Sequence, residues 1–278
     1  MNLVRAELLK IRTTNTWWLF GLGAVLMTAL AFLVNMLTAN TMLDGGIGDL
    51  EGINPEQAEQ IRAQADVAYQ AANLYTSGQF FGLLFVMLLG IIVVTNEYYH
   101  QTATTTFLTT PQRTRVVVAK LIAATGIGAA FWLVTTVLTI PATALYLASK
   151  DLGSQLGDGG VIRAILLNLL AYLLWGIFGV GFGVLIRSQI GATVTAVVLY
   201  LVGTTAASII FTVLQQWLGW DWIDNLQVVV PSIASTLMIS GTELPGSPPQ
   251  WVGAAVLIAY AVVTGTVGTI IMRRRDIS

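Results

Sequence analysis

Residues 95–120, TNEYYHQTATTTFLTTPQRTRVVVAK, are polar, Thr-rich and basic toward their far end, and they stand between two long apolar runs. Those flanks, about 78–94 and 116–140, are each long enough to cross a hydrocarbon core of about 30 Å as helix at about 1.5 Å per residue. The insert is therefore expected to be a loop between two membrane spans. Glu97 to Leu108 holds no Pro or Gly, and Tyr98, Phe107 and Leu108, with Thr102 and Thr105, fall partly along one side of a helix. Thr110-Pro111 reads as a stop and a restart, because proline suits a first helical turn. The expectation is a short surface helix over 97–108, clamped between two membrane helices.

Composition sets the class. Hydrophobic residues make up 55% of the 278-residue chain, charged residues only 10%, and the mean hydropathy is +0.76. This is the signature of an all-α polytopic membrane protein, a single transmembrane domain over 1–278, and not of a soluble domain. There is no cysteine, so neither a disulfide framework nor a thiolate metal site is available.

Working outward, residues 1–16 place Val4, Leu8 and Ile11 at i, i+4 and i+7, with Arg5, Lys10 and Arg12 mostly on other faces. That pattern predicts an amphipathic helix lying in the membrane interface. The apolar run that follows is too long for a signal-peptide core. Spans are expected at about 17–37, 78–96, 116–140, 161–186, 190–211 and 251–272. Trp17 and Trp18 suit the headgroup level, and Asn54-Pro55-Glu56-Gln57 reads as a helix start. Within GIFGVGFG at 176–183, no strand precedes the glycines, so a nucleotide fingerprint is excluded. Gly179 and Gly183 instead suit close helix packing. The apolar run 226–239, broken by Pro231, is too short for a crossing and predicts a re-entrant or interfacial external segment between the fifth and sixth spans.

Six spans put both termini on one side. The N-terminal segment, the insert, the Arg187 turn and the C-terminal tail hold ten of the thirteen basic residues, against Arg62, Lys150 and Arg163 in the other loops. Both termini are therefore expected in the cytoplasm, and the chain in the cytoplasmic membrane.

With Glu97, Gln101-Thr102, Pro111, Arg113 and Lys120, the insert resembles the first cytoplasmic loop of permease subunits of type 2 ATP-binding-cassette exporters. MNLVRAELLKIRTT is similar to that family's N-terminal connecting helix, and the broken run after the fifth span to its re-entrant hairpin. The likeness covers the whole chain and is closest in style to antibiotic and multidrug permeases of high-GC Gram-positive bacteria. The resemblance implies a cytoplasmic coupling helix between spans 2 and 3, contacting an ATPase through Glu97, Tyr98, Gln101, Thr102, Thr105, Phe107, Leu108, Pro111 and Arg113. It implies two copies of this chain with two ATPase subunits that hold ATP and Mg, and export of a hydrophobic or amphipathic drug, antibiotic, lipid or small peptide. No G-x-x-x-x-G-K-[ST] loop occurs in the chain, which agrees with energy supplied by a partner.

Other classes fit less well. Ion-coupled transporters bury Asp, Glu, Arg or Lys in their spans, and the six apolar cores are expected to hold none. His100 is the only histidine, so multi-His metal sites are excluded, and no metal or nucleic-acid partner is expected. Asp221 and Asp224, flanked by Trp217, Trp220 and Trp222, suit a solvated rim better than a catalytic pair. A structural or immunity-type membrane protein remains the alternative; the length of the insert argues against it, since a bare connector needs only a few residues. Within the insert, Glu97 suits either a helix N-terminus or a coupling contact. Arg113 and Arg115 suit lipid headgroups, and Tyr98, Phe107 and Leu108 suit docking.

Overall fold

The computed structural model describes residues 2–45, 53–102, 112–186, 188–220 and 222–274. Among these, six helices are long and apolar enough to cross a membrane, and the secondary structure is helical throughout. The helices are α1 (Asn2–Thr13), α2 (Thr16–Leu43), α3 (Pro55–Gln64), α4 (Val67–Tyr75), α5 (Gln79–Tyr99), α6 (Arg113–Ser149), α7 (Gly159–Leu185), α8 (Gln189–Val198), α9 (Thr204–Leu218), α10 (Trp222–Asn225), α11 (Pro231–Met238) and α12 (Gln250–Arg274). The six candidate spans are α2, α4 with α5, α6, α7, α8 with α9, and α12.

Helix starts follow local chemistry. The helix predicted at Asn54-Pro55 begins at Pro55. Asp66 and Asp158 cap α4 and α7 by accepting from two backbone N–H groups each, and Ser188 caps α8 through the Gly191 N–H. The second span is broken between Tyr75 and Gln79. Gly78 sits there at φ +82°, and a Cβ on it would also lie 2.6 Å from Thr28 Cα, so both conformation and packing against α2 require glycine.

Four spans run longer than expected, the first reaching Leu43 and the second, counted with α4, extending from Val67 to Tyr99. The third continues past 140 to Ser149 with Pro141 inside it. Its last turns are held by Leu147, fully buried among Ala39, Leu74 and Val161, by the Tyr146 hydroxyl against Asn40 Oδ1 (2.8 Å), and by Lys150 paired with Asp44 (2.5 Å). At 37 residues α6 is about 55 Å long, well beyond a hydrocarbon core. The fifth span runs to Leu218, through a π-turn at Leu199–Gly203 that joins α8 to α9.

The core is organised around α7, which packs on α5, α6 and α12. Small residues allow the approach. A Cβ on Gly90 of α5 would stand 2.7 Å from the Gly176 carbonyl oxygen, and one on Gly176 would stand 2.7 Å from that of Ala124 in α6. Gly179 faces the Met87 backbone still more closely, and Gly183 faces Ile91. The small-residue stripe is thus used within one chain. By contrast α2 and the α8–α9 span bury little of themselves, leaving Leu22, Leu26, Leu37, Val194, Ile209 and Trp217 exposed.

After α9, residues 222–238 form short helical pieces packed against α12 and α7, with Ser232, Ala234, Ser235 and Met238 buried. Gln79 Nε2 donates to the Ser235 carbonyl, and Trp175 Nε1 to Ser235 Oγ (2.8 Å). Ser235 thus has partners on two other helices through both its carbonyl and its hydroxyl.

Candidate functional site

The groups that gather most densely lie where α1, the end of α5 and the beginning of α6 meet. Lys120, in the third turn of α6, is completely buried, and its ammonium is surrounded by three oxygens: Glu7 Oε2 at 2.9 Å, Glu97 Oε1 at 2.8 Å and the Val93 carbonyl at 3.1 Å. Three acceptors match the three protons of an ammonium. Lys10, one turn beyond Glu7 on α1, bridges the same two carboxylates, 2.9 Å from Glu7 and 2.6 Å from Glu97. The result is a closed, electrically neutral ring, Glu7–Lys10–Glu97–Lys120. Burial opposes the Lys10 charge, but hydrogen bonds and attraction from Glu97 and Glu7 outweigh it, so the Lys10 pKa is raised above its ordinary 10.5.

Two sequence expectations are corrected here. The apolar cores were expected to hold no charge, yet Lys120 lies within 116–140 and is buried; carboxylates from two other helices neutralise it there. Glu97 does not open a short surface helix. It occupies the last turn of α5, which runs on to Tyr99, and at that C-terminal end the helix dipole is unfavourable for an anion, so the two lysines hold it. On α1, Glu7 is buried and Val4 and Ile11 are half-buried, while Leu8 and Leu9 are exposed.

The other predicted residues separate. Tyr98 turns inward against the cluster containing Val94, Val117 and Met272, and Tyr99, stacked edge-on with His100, is exposed instead. Gln101 is exposed at φ +55°, and Thr102 N–H donates to the Glu97 carbonyl (2.9 Å), turning the chain sharply at the end of α5. Arg113 Nη1 reaches the Met272 carbonyl near the end of α12 (3.4 Å). Thr105, Phe107, Leu108, Pro111, Arg187 and Asp221 lie outside the described residues. Gly179 and Gly183 lie deeper in the bundle, in the contact between α7 and α5. Asp224 is exposed and accepts from Gln227.

Beside the ring is a cavity of 330 Å³, lined by Glu7, Lys10, Asn96, Glu97, His100 and Thr102 among others. Among the described residues no three His, Asp or Glu side chains are grouped to hold a metal ion. Each charge of the ring is already matched by its neighbours. What it can do is mechanical: it locks three helix ends together across a polar joint. Sequence reasoning missed Glu7, whose one signal was being the sole acid in a basic amphipathic helix. No protein-family model matches the chain, and no curated protein does.

Proposed function

We propose that the chain is the membrane-spanning permease subunit of an ATP-driven exporter, working as a pair of copies with two separate ATPase subunits. The observation that supports this most directly is the buried ring. A partner's motion reaches the spans only through an element rigidly joined to them, and a coupling needs contacts that differ between two states. The insert 100–112 leaves from the last turn of α5 and returns at the start of α6, and the ring ties that last turn to the third turn of α6 and to α1. Force applied to the insert therefore passes into both spans together. In this reading α1 lies in the cytoplasmic interface, the segment 222–238 is a re-entrant external hairpin, and the cargo is hydrophobic or amphipathic.

Purified from its own cells into nanodiscs, the chain is expected to carry an ATPase and to show two copies of each subunit by native mass measurement. The Phe107→Ala, Leu108→Ala double variant should still insert. Losing one apolar anchor at such an interface costs about 2 kcal/mol, so removing two should weaken ATPase association by at least about thirtyfold. A monomer purified alone, or a double variant with unchanged ATPase association and stimulated hydrolysis, would overturn the proposal.

Orientation is tested separately. The chain is Cys-free, so single cysteines at Gln57 and Gly157, both exposed, are expected to react with an impermeant thiol reagent on intact cells. Cysteines at Arg12 and Gln112, equally exposed, should react only after the membrane is opened. The reverse pattern would place the basic side outside.

A further inference from the structure

A second cavity, of 360 Å³, lies between α5, α7, the α8–α9 span, α12 and the segment entering α11. Its volume falls in the range of small-molecule sites, about 300–1,000 Å³. Aromatic rings dominate the walls: Trp175, Phe178, Phe182, Tyr200, Phe211 and Tyr260. Trp175 meets Phe178 and Tyr200 edge to face at 5.4 and 5.0 Å, and Phe178 meets Tyr260 at 5.9 Å. The polar tips of two of these rings are already engaged elsewhere. Trp175 Nε1 donates to Ser235 Oγ and the Tyr200 hydroxyl to the Phe80 carbonyl (2.6 Å), so both present ring surface to the cavity. The π-turn at Leu199–Gly203 contributes Leu199, Tyr200 and Gly203 to the lining, and such turns concentrate at functional sites. Leu199 and Val229, at 57% and 51% exposed, leave an edge open toward the lipid side.

No lining residue carries a formal charge at neutral pH, so an ionic ligand would be buried without compensation. Besides Tyr260, the lining holds one hydrogen-bonded polar pair, Thr204 Oγ1 and Ser232 Oγ at 2.6 Å. Thr204 already donates its single proton to the Tyr200 carbonyl, so the proton between the two hydroxyls comes from Ser232. The pair then has only acceptor lone pairs to offer. We infer that this cavity binds an uncharged aromatic molecule carrying one O–H or N–H donor, with its rings among Trp175, Phe178 and Tyr260 and its donor on Ser232 and Thr204. The binding needs no ATPase, so its failure would leave the permease proposal standing, and the reverse also holds.

The experiment uses 4-(hydroxymethyl)benzophenone, a neutral photoreactive aryl alcohol, on the full chain in nanodiscs, with labelled positions found by mass spectrometry. Labelling is expected to saturate and to concentrate on lining residues such as Met87 and Phe178. Benzophenone, which lacks the donor, should bind about fivefold more weakly, the worth of one neutral hydrogen bond of about 1 kcal/mol. The Ser232→Ala, Thr204→Val double variant, which removes both acceptors and keeps the cavity's shape, should remove that difference. The anionic 4-benzoylbenzoate should compete at least about tenfold more weakly, the effect of about 1.4 kcal/mol. Ala196→Phe, filling the space, should abolish saturable labelling. Unsaturable labelling spread over lipid-facing residues such as Leu22 and Ile209 would overturn the inference. So would equal binding of both ketones, or a phospholipid retained at the site that the alcohol does not displace.

Discussion

Lys120→Met is expected to destabilise the folded chain by about 3–5 kcal/mol, the usual cost of removing one partner from a buried ion pair. The cost arises from what is left behind. Glu7 and Glu97 are nearly as buried as Lys120, and without it they share only Lys10, so one negative charge has no counterpart. Replacing lysine by a side chain of similar length keeps the volume, which separates the charge effect from a cavity. Adding Glu97→Gln to Lys120→Met removes the surplus charge and should recover much of the loss. Lys10→Met should cost far less, because the Lys10 side chain is 44% exposed and water screens it. Thermal unfolding in detergent, followed by size-exclusion chromatography, measures all three. Proteolysis after Arg5 or Arg12 reports whether α1 has come away. If Lys120→Met were as stable as Lys10→Met, the ring would not be what holds the joint.

The ring also predicts a direction with pH. A lysine whose folded pKa is raised contributes its stabilisation fully below the unfolded value, and loses it as pH rises through the higher folded value. For Lys10 that places the loss in the alkaline range above 10.5, so its share of the joint is constant through neutral pH.

The six spans were legible because transfer free energy is nearly additive along a run, and an apolar stretch announces itself without reference to the rest of the fold. The start of α3 at Pro55 was legible for the same reason, being a matter of neighbouring residues. The joint was not. Its bonds link residues 87 and 113 positions apart, and no local window contains both partners. Polarity misled at the end of the second span, where Glu97 read as the start of a separate surface helix but lies buried in the last turn of α5, held by the lysines. Pro141 coincided with the expected end of the third span, yet tertiary packing around Leu147 carries the helix past it. LYLVG at the π-turn has no sequence feature that separates it from ordinary apolar helix.

Gly179→Leu should have the second large effect, and it decides where the small-residue stripe acts. A Cβ at Gly179 meets the Met87 carbonyl, carbon and Cα, all backbone, so no rotamer change relieves the overlap and α5 must move away from α7. Overpacking of this kind typically costs about 1–3 kcal/mol, and a rigid backbone opposite puts Gly179 at the upper end or beyond. Gly126→Leu is the matched control, since a Cβ there meets nothing within 4 Å, and it should leave stability nearly unchanged. The measurement is thermal unfolding together with native mass. Gly179→Leu is expected to lower the stability of the chain itself and to do so equally in monomer and dimer. Should it dissociate dimers while the monomer unfolds as the parent does, the stripe would belong to the contact between copies. The intramolecular reading follows from the partners already named, because Gly90, Gly176, Gly179 and Gly183 each face backbone of another helix in the same chain. Any pairing of copies is then left to the uncovered apolar faces, which among the described spans are most extensive on α2 and the α8–α9 span.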